Sequence, residues 1–225
     1  NEVKTNYVIK DPEEPTGIAM ITVTPNGENM IVVASGANAE VSIEDVNNAR
    51  ALMRETDLLL LQLETPLESV SEAIELANIY DVPILLNPAP AQKLSEAILS
   101  KVDYLTPNQS ELKALTDEED VSKAIKKLRK WGVKNLIVTL GANGARIVSD
   151  EIDKHLPAYE VTAVDTTAAG DAFNGALAVA LAEKKSLPEA ADYAMAAGAL
   201  ATTKRGAQPS LPTRDVVENF LSANQ

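Results

Sequence analysis

The chain has 225 residues, of which 45% are hydrophobic and 24% are charged, a composition typical of a globular domain with a substantial core. Its net charge of −13 argues against a nucleic-acid partner, because binding a phosphate backbone requires a basic face. No apolar run approaches the roughly 18 residues that span a membrane. The absence of Cys excludes disulfides and thiolate metal sites, so we expect a cytoplasmic protein.

The first 41 residues predict β structure. Apolar or alternating runs cover Thr5–Lys10, Thr16–Val23 and Asn29–Ala34, and Asn26–Gly27 is a turn signal between the last two runs. Nothing in this opening segment resembles a repeat of strand and helix. We therefore treat residues 1–41 as a β unit separate from the rest of the chain.

From residue 42 onward, helices alternate with short apolar strands. The predicted helices are Ile43–Glu55, Pro66–Tyr80, Asn108–Leu115, Glu119–Trp131, Ala169–Glu183, Leu187–Thr202 and Arg214–Leu221. The predicted strands are Asp57–Leu63, Val82–Leu86, Val102–Leu105, Asn135–Leu140 and Ala145–Val148. Strands that are apolar throughout and separated by helices are typical of a parallel sheet covered on both faces. Residues 42–225 are thus predicted to form one α/β domain.

Polar residues follow four of the predicted strands. They are Glu64, Asn87, Asn108 and the pair Thr139 and Gly141. Ligands of open α/β sheets bind beyond the carboxyl ends of the strands, so four such ends predict a binding site at one edge of the sheet. Taken singly, each residue is explained equally well as a turn residue or a helix cap.

The chain is organised around residues 165–175, Asp-Thr-Thr-Ala-Ala-Gly-Asp-Ala-Phe-Asn-Gly. The small residues Ala168, Ala169 and Gly170 stand where a turn becomes a helix, so backbone N–H groups without intrahelical partners can hold a phosphate there. Asp171 falls in the first helical turn, where it can accept a proton from a bound hydroxyl group. The alternative is that Asp171 is a first-turn acid that only stabilises its own helix.

This stretch resembles the second signature of the ribokinase-like (PfkB) carbohydrate kinases. Further motifs match the family in order: Asn87–Pro90, Thr106–Glu111, Thr139–Gly141 and Lys204–Ser210. The resemblance covers nearly the whole chain and implies a three-layer α/β fold with a parallel-rich sheet. It also implies that residues 1–41 are part of a small β lid and that residues 42–225 form the ATP-binding domain.

The resemblance implies a kinase that transfers the γ-phosphate of ATP to the exocyclic hydroxyl of D-ribose, with Mg²⁺ and K⁺. In that interpretation Asp171 is the catalytic base, and the amides of Ala168, Ala169 and Gly170 hold the moving phosphoryl group. Glu64 and Asp171 contact the sugar. The residues assigned to the nucleotide are Asn108, Thr139, Gly141, Gly144 and Gly170.

Family resemblance also assigns the cations. Glu111 belongs to the Mg²⁺ shell, although a first-turn helix acid is an equally good explanation of this residue on its own. The residues assigned to the K⁺ loop are Asp165, Thr167, Arg205, Gly206 and Ser210. The chain departs from the family pattern at Ala172, where many relatives carry Thr, and at Met195, where His or Asn is often found near adenine.

The family's N-terminal portion, with its first strand and Gly-rich sugar motif, has no counterpart in this sequence. We therefore expect an N-terminally shortened sheet, whose open edge favours self-association into a dimer. We also expect ATP binding to be much better preserved than ribose binding. Two alternatives stay open beside an active kinase. They are a nucleotide-binding remnant with impaired catalysis and a partner subunit that completes another chain.

Overall fold

The computed structural model describes residues 3–23 and 29–224 and arranges their strands in two sheets. Strands β1 (Thr16–Val23) and β2 (Asn29–Gly36) form an antiparallel hairpin, called the lid hairpin after the lid predicted for residues 1–41. The second sheet contains, in spatial order, β3 (Leu59–Leu61), β4 (Ile84–Leu86), β5 (Tyr104–Leu105), β6 (Asn135–Thr139), β7 (Ala145–Val148) and β8 (Asp153–Leu156). The predicted turn at Asn26–Gly27 lies outside the described residues.

Strands β3 to β6 are parallel neighbours in chain order, and β7 and β8 continue the sheet antiparallel. The side chains of β4 are fully buried, as expected for a strand with helices on both faces of its sheet. The predicted α/β class with a parallel-rich sheet is confirmed.

Several of the eight helices in the described residues begin at a side-chain cap. The eight helices are α1 (Ile43–Asn48), α2 (Leu67–Ile79), α3 (Glu96–Leu99), α4 (Gln109–Thr116), α5 (Val121–Lys130), α6 (Ala169–Ala182), α7 (Leu187–Thr202) and α8 (Arg214–Ala223). Ser42, Asn108 and Ser186 each form a capping box with the acid three residues later, which pairs backbone N–H groups that the helix leaves free. No helix in the described part of the chain is both long and apolar enough to span a membrane.

Two apolar cores lie on opposite faces of the six-stranded sheet. On one face, Leu86, Leu105 and Leu136 belong to a core shared with α2, α4 and α5. On the other, Leu85 and Ile137 belong to a core shared with α6, α7 and α8. Successive strand residues therefore contact different helix layers, and the fold has the three layers that the sequence predicted.

The lid hairpin is joined to the rest of the chain at a close contact between its two ends. Gly36 has φ +50°, and a Cβ atom there would lie 2.2 Å from the Pro15 carbonyl oxygen. The N–H of Ala37 donates a hydrogen bond to that same oxygen at 2.8 Å. Only glycine combines this backbone conformation with so close an approach.

Two predicted elements differ in the structure. Thr5–Lys10 is not a strand; the N–H of Val8 donates to the Thr5 carbonyl in a turn. The single helix predicted over Ile43–Glu55 is α1 followed by a 3₁₀ turn, Arg50–Glu55. The guanidinium groups of Arg50 and Arg54 in this turn lie 5.7 and 5.9 Å from the ring centroid of Tyr80.

The edge strands account for the other differences. Leu60 of β3 is 41% exposed, although Asp57–Leu63 is predicted as a buried strand, because β3 is an edge strand of the described sheet. Strand β8 has no signal in the sequence pattern, since its first three residues are polar and exposed. The one-turn helix α3 is likewise absent from the predicted elements.

Candidate functional site

The polar residues predicted at strand ends lie along one edge of the sheet, because β3 to β6 are consecutive parallel neighbours. Glu64 is exposed beyond β3. The Asn87 side chain, beyond β4, donates from Nδ2 to the Thr106 carbonyl at 3.3 Å. Asn108, beyond β5, forms an isolated parallel bridge with Thr139, the last residue of β6.

The first turn of α6 is bare. Its N-cap, Ala168, has φ +61° and forms no side-chain cap, and the Ala169 N–H donates to the Thr166 carbonyl at 3.2 Å. A Cβ atom on Gly170 would have no neighbour within 4 Å, so packing does not require glycine at this position. What the missing side chain provides is open space beside N–H groups that lack intrahelical partners. The exposed Asp171 borders this space.

A buried hydrogen-bond bridge ties this turn to the sheet edge. Thr106 Oγ1 donates to Asn174 Oδ1 at 2.6 Å, and Asn174 Nδ2 donates to the Gly170 carbonyl at 2.9 Å. Both bridging side chains are buried. The structure therefore brings Asp171 to the edge that carries the strand-end residues.

Asn108 and Glu111 are bound to each other in the capping box of α4. The Asn108 N–H and Nδ2 donate to the two carboxylate oxygens at 2.8 and 2.7 Å, and the Glu111 N–H donates to Asn108 Oδ1 at 2.9 Å. Burial raises the pKa of Glu111, and the bond from the Asn108 N–H partly opposes that rise. Each carboxylate oxygen keeps a lone pair for a second donor or a cation's water.

The loops before α6 and after α7 meet at Asp165. Its carboxylate accepts hydrogen bonds from the N–H groups of Thr167 and Gly206, both at 2.9 Å. The Gly206 N–H, followed by the hydroxyl and N–H of Thr167, lowers the pKa of Asp165, and the charge of Arg205 adds to this. The Ser210 hydroxyl is buried and donates to the Ala207 carbonyl within its own turn.

Thr167 Oγ1 is a buried oxygen that needs a partner. It lies close enough to Asp165 to affect that carboxylate, but it forms no hydrogen bond of ordinary geometry within the described part of the chain. Leaving a buried hydroxyl unpaired is unfavourable by about 1–3 kcal/mol. A cation coordinated by this oxygen would remove that penalty.

The two glycines assigned to the nucleotide differ in their surroundings. Gly141 has φ +58°, and a Cβ atom there would have nothing within 4 Å, whereas a Cβ atom on Gly144 would lie 2.0 Å from the Leu156 carbonyl. Gly144 is thus required by the close packing of its loop on β8. His155 lies in β8, with Nε2 2.7 Å from the Asn143 carbonyl.

Comparisons with known proteins identify the family. The model of the pfkB family of carbohydrate kinases matches residues 1–214. The chain belongs to this family. This pfkB-family kinase is 42% identical to the ribokinase of Haemophilus influenzae over 224 residues, which cover 97% of the chain and 73% of that relative.

Solved structures agree with this assignment. The ribokinase of Thermotoga maritima is 44% identical to this chain, with a TM-score of 0.83. The match covers 93% of this chain and 70% of the Thermotoga chain. The ribokinase of Arabidopsis thaliana, solved with ribose and ATP, has a TM-score of 0.82 and 32% identity with the same coverages. The recognition of a ribokinase-like kinase and its fold from the sequence is confirmed.

The sequence motifs contain two residues of this site that carry no role from sequence alone, Thr106 and Asn174. A signal existed for Asn174, which is a buried amide on a helix otherwise lined with Ala, Leu, Phe and Val. Buried polar groups are nearly always hydrogen-bonded, so this amide required a partner. Met195, the departure noted near adenine, is buried in the core beneath α6 and α7.

The raised pKa of Glu111 predicts a pH-dependent difference from Glu111→Gln. A carboxyl whose pKa is higher in the folded than in the unfolded state lowers stability as pH rises from about 4.5 through the folded value. We therefore expect urea unfolding from pH 4 to 7 to show that the free energy of unfolding of Glu111→Gln increases relative to that of the parent as pH rises.

Glu189→Gln is the matched control, since Glu189 occupies the same capping-box position on α7 but is exposed. The Ser186 hydroxyl lowers the pKa of Glu189. The free energy of unfolding of the parent should therefore increase relative to that of Glu189→Gln as pH rises towards 4.5. Parallel pH profiles for the two variants would contradict the burial assigned to Glu111.

Proposed function

We propose that this pfkB-family kinase transfers the γ-phosphoryl group of ATP to the exocyclic hydroxyl of D-ribose, giving ribose 5-phosphate. The observation that carries the proposal is the position of Asp171 beside the open first turn of α6, which the Thr106–Asn174 bridge ties to the strand ends. The similarity to a ribokinase solved with ribose and ATP supports these two substrates.

In this mechanism the first turn of α6 performs two tasks. Of the amides assigned to the phosphoryl group, that of Ala169 donates to the Thr166 carbonyl. The N–H groups of Ala168, Gly170 and Asp171 would stabilise negative charge on the moving phosphoryl group, and the Asp171 carboxylate would accept the proton of the sugar hydroxyl. Carboxylate groups are in general weak bases towards a hydroxyl proton. A loose transition state tolerates a weak base, because it requires proton removal late and positioning above all.

The strand ends would position the two substrates. Glu64, exposed beyond β3, is assigned to the sugar hydroxyls, for which a carboxylate is a strong acceptor. Thr139, Gly141 and Gly144 are assigned to the nucleotide, with the open surface of Gly141 available for close approach. Asn108, bridged to Thr139, would contact the phosphates of the nucleotide, between its base and the sugar substrate.

Mg²⁺ is proposed to be held by ATP together with the Glu111 carboxylate. The residues fit a hard cation through water, since both Glu111 oxygens are hydrogen-bonded to Asn108 but keep a free lone pair each. When bound, Mg²⁺ neutralises charge on the phosphates of ATP. The chain's own contribution is to hold Glu111 in one orientation through the capping box.

K⁺ is proposed to bind beside the loop that precedes α6. The unpartnered Thr167 Oγ1 and the Asp165 carboxylate are oxygen donors suited to a hard, weakly held cation, with Arg205, Gly206 and Ser210 completing the loop. Within residues 3–23 and 29–224, no group of three or more His, Asp or Glu side chains is placed to hold a metal ion. Hydroxyl and backbone oxygens would therefore have to supply most of this coordination.

The catalytic role of Asp171 is tested by Asp171→Asn. The substitution keeps the size of the side chain but removes the proton acceptor, so ribose-dependent ATP consumption should fall by about 10²-fold or more. The affinity for Mg·ATP should stay within about three-fold, because the backbone donors remain. A coupled ATP-consumption assay and calorimetry measure the two quantities.

Asp215→Asn is the control, since Asp215 is the first-turn acid of α8 and should leave turnover unchanged. Near-parental turnover of Asp171→Asn would make Asp171 a structural acid. A parent that binds Mg·ATP but never consumes it with ribose would instead support the nucleotide-binding remnant.

The cation proposal predicts that replacing Na⁺ with K⁺ at constant ionic strength raises the ribose-dependent rate. A filled site would pair Thr167 Oγ1 and order the loop that leads into the first turn of α6. Thr167→Val, which removes the hydroxyl but keeps the branched shape, should reduce the ratio of the two rates towards one. Equal rates of the parent in both salts would exclude this role for K⁺.

We further propose that the kinase self-associates, as expected from its sequence. The lid hairpin exposes apolar side chains on both faces: Ile18, Met20 and Val32 on one, Ile21, Ile31 and Val33 on the other. Leu60 adds exposed apolar surface on the edge strand β3. Exposed apolar surface of this kind is typical of an interface, and a second copy would cover it.

Light scattering should therefore give a mass above that of one chain at micromolar concentration. Met20→Lys with Val32→Lys should shift the mass towards the monomer, because charges are disfavoured at the centre of an interface. Ile79→Lys is the control, since Ile79 on α2 is as exposed as Met20, 63% for both. A parent that stays monomeric would overturn the proposal.

A further inference from the structure

The buried bridge between β5 and α6 has a property that packing alone does not require. Asn174 is the buried amide of α6, and both of its functional groups are used. The Gly170 carbonyl can only accept a hydrogen bond, so the nitrogen of the amide must face it. Asn174 Oδ1 must then accept, and Thr106 Oγ1 must donate. The bridge therefore has a single direction.

Thr106 is itself held at the carboxyl end of the sheet. Its N–H donates to the Leu86 carbonyl at 3.1 Å, and its own carbonyl accepts from Asn87 Nδ2. Its hydroxyl is 3.4 Å from the Leu86 carbonyl, much farther than the 2.6 Å to Asn174. Thr106 therefore connects the ends of β4 and β5 to the first turn of α6 over 68 positions of sequence.

The first turn of α6 packs on Gly198 of α7 through the Ala169 carbonyl, but it has no polar side chain of its own that ties it to the sheet edge. Ala168, Ala169 and Gly170 carry no polar side chain, and Gly170 has no packing neighbour at its Cβ position. The proposed reaction needs Asp171 and the adjacent N–H groups at a fixed distance from substrates on the strand ends. Displacement by about 1 Å of such groups costs about 10²-fold in rate.

We propose that Thr106 and Asn174 are positioning residues for phosphoryl transfer, which set the first turn of α6, and Asp171 with it, against the sheet edge. This inference rests on the proposed kinase function. Neither residue need touch a substrate. Their effect passes through the Gly170 carbonyl, the acceptor at the end of the bridge.

Thr106→Val is the decisive variant, because it keeps the shape of the side chain and removes only the donor. We expect kcat to fall by about 10- to 100-fold, with KM for Mg·ATP within about three-fold of the parent. Thr106→Ser retains the hydroxyl and should restore kcat to near the parental value. Asn174→Ala should resemble Thr106→Val, and the double variant should be no slower than Asn174→Ala alone, since both changes break one bridge.

Thr116→Val is the matched control for loss of a buried threonine hydroxyl. Thr116 is fully buried, and its hydroxyl donates to the Leu112 carbonyl within α4 at 2.7 Å. This variant should lose stability to a similar degree and keep the parental kcat. If Thr106→Val and Thr116→Val have the same kcat while Asp171→Asn is inactive, the positioning role is wrong and the kinase function stands.

Amide hydrogen exchange tests the positioning role without any turnover. The Ala172 N–H donates to the Ala168 carbonyl at 2.9 Å, so its exchange reports on the first turn of α6. Thr106→Val should accelerate exchange at residues 172–174 and not in α7, whereas Thr116→Val should not. Unchanged exchange at residues 172–174 would overturn the positioning role. This measurement does not depend on turnover, so its outcome is independent of what Asp171→Asn shows about the kinase function.

Discussion

Four parallel strands whose side chains are apolar on both faces can be buried only between two layers of helices. In this chain that constraint fixes the direction of β3 to β6 and therefore brings the loops that follow them to one edge. The two cores on either side of the sheet cover both faces of its central strands. The edge is the place where polar side chains can be presented without opening either core, and Glu64, Asn87, Asn108 and Thr139 all follow strands there.

Most of the fold was predictable because its signals are local. Capping residues at Ser42, Asn108 and Ser186 begin helices as their side chains require, and continuous apolar runs became central strands. The failures concern elements whose character depends on distant neighbours. Strand β8 is polar because it is an edge strand, and Leu60 is exposed for the same reason. Nothing within either segment reports its position in the sheet.

The candidate site divides in the same way. Motifs read along the chain located Asp171, Gly170 and the strand ends, since each stands at a predictable boundary between elements. The contacts that join these pieces cross long stretches of sequence, as Asp165 does to Gly206 and Thr106 to Asn174. Such pairings depend on how helices dock against the sheet. A lone buried amide reveals that a partner exists, but only the structure identifies it.

The join between Pro15 and Gly36 has a mechanical consequence for the lid hairpin. Because the Ala37 N–H is bound to the Pro15 carbonyl and Gly36 fits against it with no room for a side chain, the two strands are held together at their base as well as along their ladder. The two strands would therefore move together. The chain is next anchored at Val41, whose carbonyl accepts from the Ser69 hydroxyl of α2 at 2.6 Å. The short 3₁₀ turn Ala37–Glu40 therefore connects the base of the hairpin to this anchor. Any movement of the hairpin about that turn would displace both of its apolar faces together.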